Sequence, residues 1–192
     1  MKENALSEPL VDTVEMKALV TDPCPVFTID LNTVKVADLA FSEPFNLRCQ
    51  RNDFIHALIA WFDIDFGACH KPIRFSTGPH TKYTHWKQTV FYLREVLTVE
   101  EGEELRGYLT NKPNNKNKRD LDIKVDYEFA TGDRTRYAAG SCEYRMYVSY
   151  DFLDVPRLTS LGADLPRSPF PSFVLHKMAF FTVSCMNPWQ EP

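Results

Sequence analysis

The clearest pattern in the chain is "DLDIKVDYEF", Asp120 to Phe129. Leu121, Ile123, Val125, Tyr127 and Phe129 alternate with Asp122, Lys124, Asp126 and Glu128. That is the two-residue period of a half-buried strand, and a one-residue slip would turn the charged set into the core. The same alternation runs through "FNLRCQR", with Phe45, Leu47 and Cys49 against Asn46, Arg48 and Gln50. "VFTIDL" (Val26 to Leu31) and "ELRGYLT" predict further strands, and "HWKQTVFYL" predicts one entered at Trp86. "FIHALIAWFDIDF" (Phe54 to Phe66) begins almost wholly apolar and then alternates. It predicts a long central strand, buried on both faces at one end and half exposed at the other.

The punctuation agrees. "TDPCP", "STGPHTKY", "TVEEGEE" and "NKPNNKNKRD" are turn clusters lying between the strand segments. Residues 1–23 read as a short helical or extended lead-in broken at Pro9, and "NTVKVADLAF" as about one helical turn capped by Asn32. Several short strands without a long helical period predict an all-β fold. We expect an antiparallel β-barrel or sandwich with a short N-terminal helical lead-in and an irregular C-terminal tail. The tail is assigned from residue 147, where the alternation stops and five prolines crowd into 46 residues before a sixth ends the chain.

Composition narrows the functional classes. Apolar residues make up 44% and charged residues 25% of the 192, as in globular proteins generally. A net charge of −4 argues against a nucleic-acid binder, which needs a basic surface for phosphates. The interrupted apolar stretch Phe170 to Met186 does not suit a membrane span, and the N-terminus has no signal-peptide core. Five scattered cysteines, with no C-x-x-C pair and no glycosylation sequon, suit a reduced compartment rather than a disulfide framework. Seven glycines form neither a G-x-G-x-x-G nor a P-loop pattern, so no nucleotide-type cofactor site is legible.

His85 is the best single candidate for chemistry, at a loop-to-strand junction with an imidazole able to carry a proton near neutral pH. Against this stands a histidine merely hydrogen-bonded in a turn. Trp86 offers a flat face that attracts cations, or simply opens a strand in the core. Asp63 and Asp65 share a strand face and either bind a basic peptide or form a solvated surface, the second being favoured. Glu100 to Glu104 reads as an acidic hairpin turn, and Asn114 to Arg119 as a solvated basic loop. Cys69-His70, Cys49 and His56 have no zinc-site spacing, which predicts no metal.

At a larger scale, "EPLVDTVE", "LNTVKVADLAF", "RNDFIHALIAWFDIDF", "FSTGPHTKYTHWKQTVFY" and "KPNNKNKRDLDIKVDYEF" together resemble the C-terminal half of a type I protein arginine N-methyltransferase. The likeness is to the predominant, fungal-type form and runs over about residues 2–146. It implies three regions: 1–23 as the remnant of a dimerisation arm and linker, 24–146 as the substrate-side β-barrel, and 147–192 as an atypical tail. That tail would be disordered or the product of an incorrect gene assembly.

The family methylates arginine in proteins such as histones and Arg/Gly-rich proteins, using S-adenosyl-L-methionine. By resemblance, Thr84, His85 and Trp86 match its threonine-histidine-tryptophan loop, in which the histidine helps form the active-site wall near the target arginine. The glycine-rich cofactor loop and the two catalytic glutamates of the family have no counterpart here. The resemblance therefore implies a barrel that binds no cofactor alone and is inactive alone. Its partners would be Arg-rich proteins and a second subunit, with no nucleic acid and no membrane, in nucleus and cytoplasm. Cut from the cofactor half, such a barrel should expose an apolar patch. The alternative is a non-catalytic binding or regulatory module for Arg-rich or partner proteins.

Overall fold

The computed structural model describes residues 6–67, 70–131, 135–147 and 177–189. The six segments expected as strands all become strands, with ends shifted by several residues, and four further strands join them. In chain order they are β1 (Leu10–Asp12), β2 (Cys24–Asp30), β3 (Phe41–Arg48), β4 (Asp53–Phe66) and β5 (Ile73–Ser76). Then come β6 (Gln88–Val99), β7 (Glu104–Pro113), β8 (Leu121–Ala130), β9 (Tyr137–Met146) and β10 (Lys177–Met186). Helical structure among the described residues amounts to two single 3-10 turns, Met16–Ala18 and Val36–Leu39. The helical lead-in is thus one short turn. The second turn is capped by Asp38, whose Oδ2 accepts from the Lys35 N–H, rather than by Asn32, which lies in the preceding turn on Asp30.

All ladders are antiparallel, in two sheets that do not close into one. The first runs β1-β6-β4-β10-β2, with β5 also on β4; the second runs β3-β7-β8-β9. Between them lies one core. Leu58, Phe91, Leu93, Val183 and Cys185 from the first sheet meet Phe45, Leu47, Leu105, Val125 and Phe129 from the second. Tyr144 on β9 crosses the gap, donating its hydroxyl to the Tyr92 carbonyl at 2.8 Å with its ring edge-on to Phe91. Close approach also explains Gly107 on β7: a Cβ there would lie 2.0 Å from the Asp126 carbonyl oxygen.

β4 is central, as its apolar run implies. Its ladder with β6 slips between Ile55 and Ala57, a β-bulge that exchanges the two faces of the strand. Ile55 and Leu58 therefore face the main core, while Ala57, Ile59 and Trp61 face the opposite side. That side is covered by residues 13–19, where Val14 completes a second small cluster with Val90 and Met186. Of the region assigned to an arm remnant and linker, residues 10–12 pair with β6, and Val20 is fully buried in the main core.

The expected irregular tail needs correction over residues 177–186. They form β10, which pairs with β4 on one side and β2 on the other. The physical reason is burial: Thr182 to Met186 are all buried, and the polar positions among them are the small hydroxyls Thr182 and Ser184 rather than charges, so the alternation is faint. Residues 148–176 of the tail lie outside the described residues.

Candidate functional site

The candidate loop arises from an interruption of one sheet edge. β5 and β6 both pair with the same side of β4: Asp63 faces Ser76, and only three residues back along β4, Ala60 faces Thr89. Residues 77–87 are therefore looped out of what would otherwise be a continuous neighbouring strand. Two side chains close the base of this excursion. Thr77, almost fully buried, donates its hydroxyl to the Phe62 carbonyl at 3.0 Å and accepts from the Phe62 N–H at 3.1 Å. Gln88 donates Nε2 to the Thr77 carbonyl at 2.6 Å and accepts from the Val14 N–H at 2.7 Å. Polar side chains thus replace the ladder where it stops.

Thr84, His85 and Trp86 sit at the far end of this excursion, in a turn closed by the Lys87 N–H donating to the Thr84 carbonyl at 3.1 Å. The strand expected from Trp86 begins instead at Gln88. Lys87 takes a left-handed backbone conformation, φ 53°, and its Nζ bonds the Asp12 carboxylate at 3.1 Å. The Thr13 N–H and then Lys87 hold the Asp12 carboxyl below its ordinary pKa.

Trp86 stands half exposed on an aromatic base. Its ring meets Phe62 and Phe75 edge-on, at centroid distances of 5.9 and 5.4 Å. On the other side lies the His85 ring, 3.8 Å away and tilted by 33°. His85 is solvent-exposed, and Tyr83 beside it is exposed as well. Thr84 differs: its hydroxyl is buried and has no hydrogen-bond partner. The loop thus presents two adjoining aromatic rings, an imidazole and an indole, on an aromatic base. Such a surface suits a flat cationic group, which aromatic faces attract and an exposed imidazole can hydrogen-bond. Phe62 and Phe75, which support Trp86, carry no sequence signal beyond their place in strands. Only the pairing of β4 with β5 brings them under it.

Asp63 corrects another expectation. It is not on a solvated face but 6% exposed, with Oδ2 accepting from the Thr182 hydroxyl at 3.4 Å and Oδ1 unpartnered. β10 and the residues after Thr77 cover a face the sequence leaves open. Asp63 lines a cavity of about 480 Å³ with Pro23, Pro25, Trp61, Arg74 and His80, away from the Phe62 side that carries Trp86. Asp65 is only part-buried. Glu103, in the acidic hairpin turn, bonds Arg136 at 2.7 Å, while Asn114 folds the basic loop by accepting from the Lys116 and Asn117 N–H groups. Among the described residues no three metal-ligating side chains cluster, and no helix is long and apolar enough to cross a membrane.

The chain is similar to known proteins in sequence and in fold. Residues 1–132 match the family profile of the arginine methyltransferase oligomerization subdomain. Protein arginine N-methyltransferase 1 of Schizosaccharomyces pombe is 52% identical over 147 residues, covering 76% of this chain and 43% of the relative. Protein arginine N-methyltransferase 1 of Caenorhabditis elegans is 49% identical over 129 residues, 67% of this chain and 37% of the relative. Among solved structures, the Trypanosoma brucei PRMT1 enzyme-prozyme heterotetrameric complex with AdoHcy superposes with a TM-score of 0.70 at 38% identity. That match covers 74% of this chain and 44% of the other. The chain therefore spans less than half the length of these relatives.

Proposed function

Because this chain belongs to the arginine methyltransferase family, as a homologue of its C-terminal oligomerization subdomain, we propose that it supplies the substrate side of a protein arginine N-methyltransferase. The observation that carries the reading is the Thr84-His85-Trp86 turn, held out from β4 on Phe62 and Phe75. In this role Trp86 and His85 form one wall of a pocket for a guanidinium group, in Arg-rich proteins such as histones. Thr84 anchors the turn that carries them. His85 acts by hydrogen-bonding and orienting the arginine rather than as the base.

Methyl transfer also requires a donor carbon held in line with the guanidinium nitrogen. The family's donor, S-adenosylmethionine, does not fit the residues described here. Its nucleoside needs close backbone approach, which glycines permit. The places beside Gly78, Gly107 and Gly140 are already filled by the chain's own His80, Phe45 and Tyr127. We therefore assign the donor to a separate cofactor half and derive no step through it here. The oligomerization subdomain belongs to this chain, and we take a second methyltransferase subunit as its partner. Nucleus and cytoplasm follow as the proposed location.

The test is reconstitution. A cofactor half prepared as a separate polypeptide, mixed with this chain, should methylate an Arg-rich peptide, and His85→Ala should lower the rate at least tenfold. The chain alone should quench or shift its Trp86 fluorescence on adding the peptide, and Trp86→Phe should remove that response. A peptide that binds equally well to Trp86→Ala, with no methylation in the mixture, would overturn the assignment.

A further inference from the structure

The walls and the filling of one position in the sheet have different origins. The walls are β2 and β4, both within residues 1–132 that match the family. Between them lies β10, residues 177–186, entirely outside that match. Along β4 the register runs without a break from Lys177 opposite Phe66 to Met186 opposite Ala57. Along β2, Met178 to Val183 pair with Asp30 to Cys24, with one slip after Phe181.

Beyond β2 the contacts continue. The Val20 N–H donates to the Cys185 carbonyl at 2.9 Å, and the Cys185 N–H donates to Thr21 Oγ1 at 2.9 Å. The Ser184 hydroxyl donates to the Thr21 carbonyl at 2.9 Å, and the Asn187 N–H to the Ala18 carbonyl at 2.9 Å. Val183, Ser184 and Cys185 are each 0% exposed.

Removing β10 would expose two facing rows of backbone donors and acceptors, one on β2 and one on β4. Such rows are templates for an added strand. Small side chains suit the place: Thr182, Val183, Ser184 and Cys185 fill it without a large residue among them. The family-matched walls thus supply the backbone rows of an acceptor, and the buried side chains at 182–185 set which sequence fills it.

We propose that the channel between β2 and β4 is a strand-acceptor site, and that residues 177–186 are its detachable ligand. The occupant is this segment of the same chain, seated by its unbroken ladder with β4. The proposal does not depend on arginine methylation, and its test uses no activity, so the two readings fail separately.

The test uses the full chain with one specific protease site substituted within residues 148–176. After cleavage the 177–192 piece should remain with the body through gel filtration. A fluorescent synthetic peptide of residues 177–189 should then exchange into the body and displace that piece. A peptide with Val183→Asp should bind weaker by roughly a hundredfold or more, since it would bury a charge. A scrambled peptide should not bind. Amide hydrogens of 178–186 in the uncut chain should exchange as slowly as those of β4.

Three results would overturn the proposal. The piece could leave on cleavage while the body keeps its cooperative melt, and the labelled peptide then fail to bind. The piece could stay but never exchange with excess peptide. Or the cut body could precipitate equally with and without the peptide present, whereas protection by the peptide alone would support an acceptor site.

Discussion

Lys87 is the described non-glycine residue with a positive φ, 53°, and it directly follows the candidate triplet. A side chain in this region costs about 1 kcal/mol or somewhat more relative to glycine. What holds it there is the Thr84–Lys87 turn hydrogen bond and the ion pair with Asp12, both on the surface. Lys87→Gly should relieve the backbone and lose a solvent-screened pair worth little. The expected outcome is a neutral to slightly raised midpoint in thermal melts, within about 1 kcal/mol. Lys87→Ala should instead be mildly destabilising, because it keeps the strain and loses the pair. The ordering of the two variants is the measurement. The same residue explains why the sequence places the strand start at Trp86: the alternation reads through Lys87, whereas the left-handed turn breaks the strand there.

At the scale of elements, a strand was legible where charges mark its outer face or where its apolar run is long. β8 is the plain case of the first, since Asp122, Lys124, Asp126 and Glu128 mark its outer face, and β4 of the second. β10 carries small buried hydroxyls, Thr182 and Ser184, in place of charges, and β9 alternates faintly, with Ala139 and Ser141 on its exposed face. β1 and β5 are too short for a period to be counted. The candidate loop was found from His85 and Trp86 and from family likeness. Its base was not, because Thr77, Gln88, Phe62 and Phe75 are brought together only by ladder register. Thr77→Val tests that base. The variant keeps shape but leaves the Phe62 N–H without its partner in a nearly dry place, while the Phe62 carbonyl keeps the Thr77 N–H. A loss of about 1–3 kcal/mol is expected in denaturant melts, with faster hydrogen exchange at Phe62.

Over the whole molecule, the segment after β10 is tied to the start of β4 by titratable chemistry. Burial on its own would raise the pKa of Asp53, but bonds from Arg51, Asn187 and the Phe54 N–H outweigh it and leave it below the ordinary value. Asn187 lies just past β10 and reaches Asp53 at 2.7 Å. A carboxyl depressed in the folded state stabilises the fold fully above its unfolded pKa, near ~3.9. That stability is lost as pH falls through the lower folded value. Acid titration should therefore weaken the fold progressively below about pH 4, and Asp53→Asn should flatten that part of the curve. An unchanged acid limb in the variant would show that Asp53 is not responsible. The thiols behave as one-way reporters of the same core: burial pushes Cys49 up to about 11 and Cys185 higher still, so neither reacts readily until the sheets part.

The clamp made by Thr77 and Gln88 has a consequence for how this surface can change over generations. Because the detour leaves β4 and returns to it across a fixed short span, the strands on either side are indifferent to what is carried between. None of the residues from Pro79 to Trp86 takes part in the ladders of β5 or β6 with β4, so a substitution among them removes no ladder hydrogen bond. The two-sheet body behaves as a socket, and the excursion as its face plate.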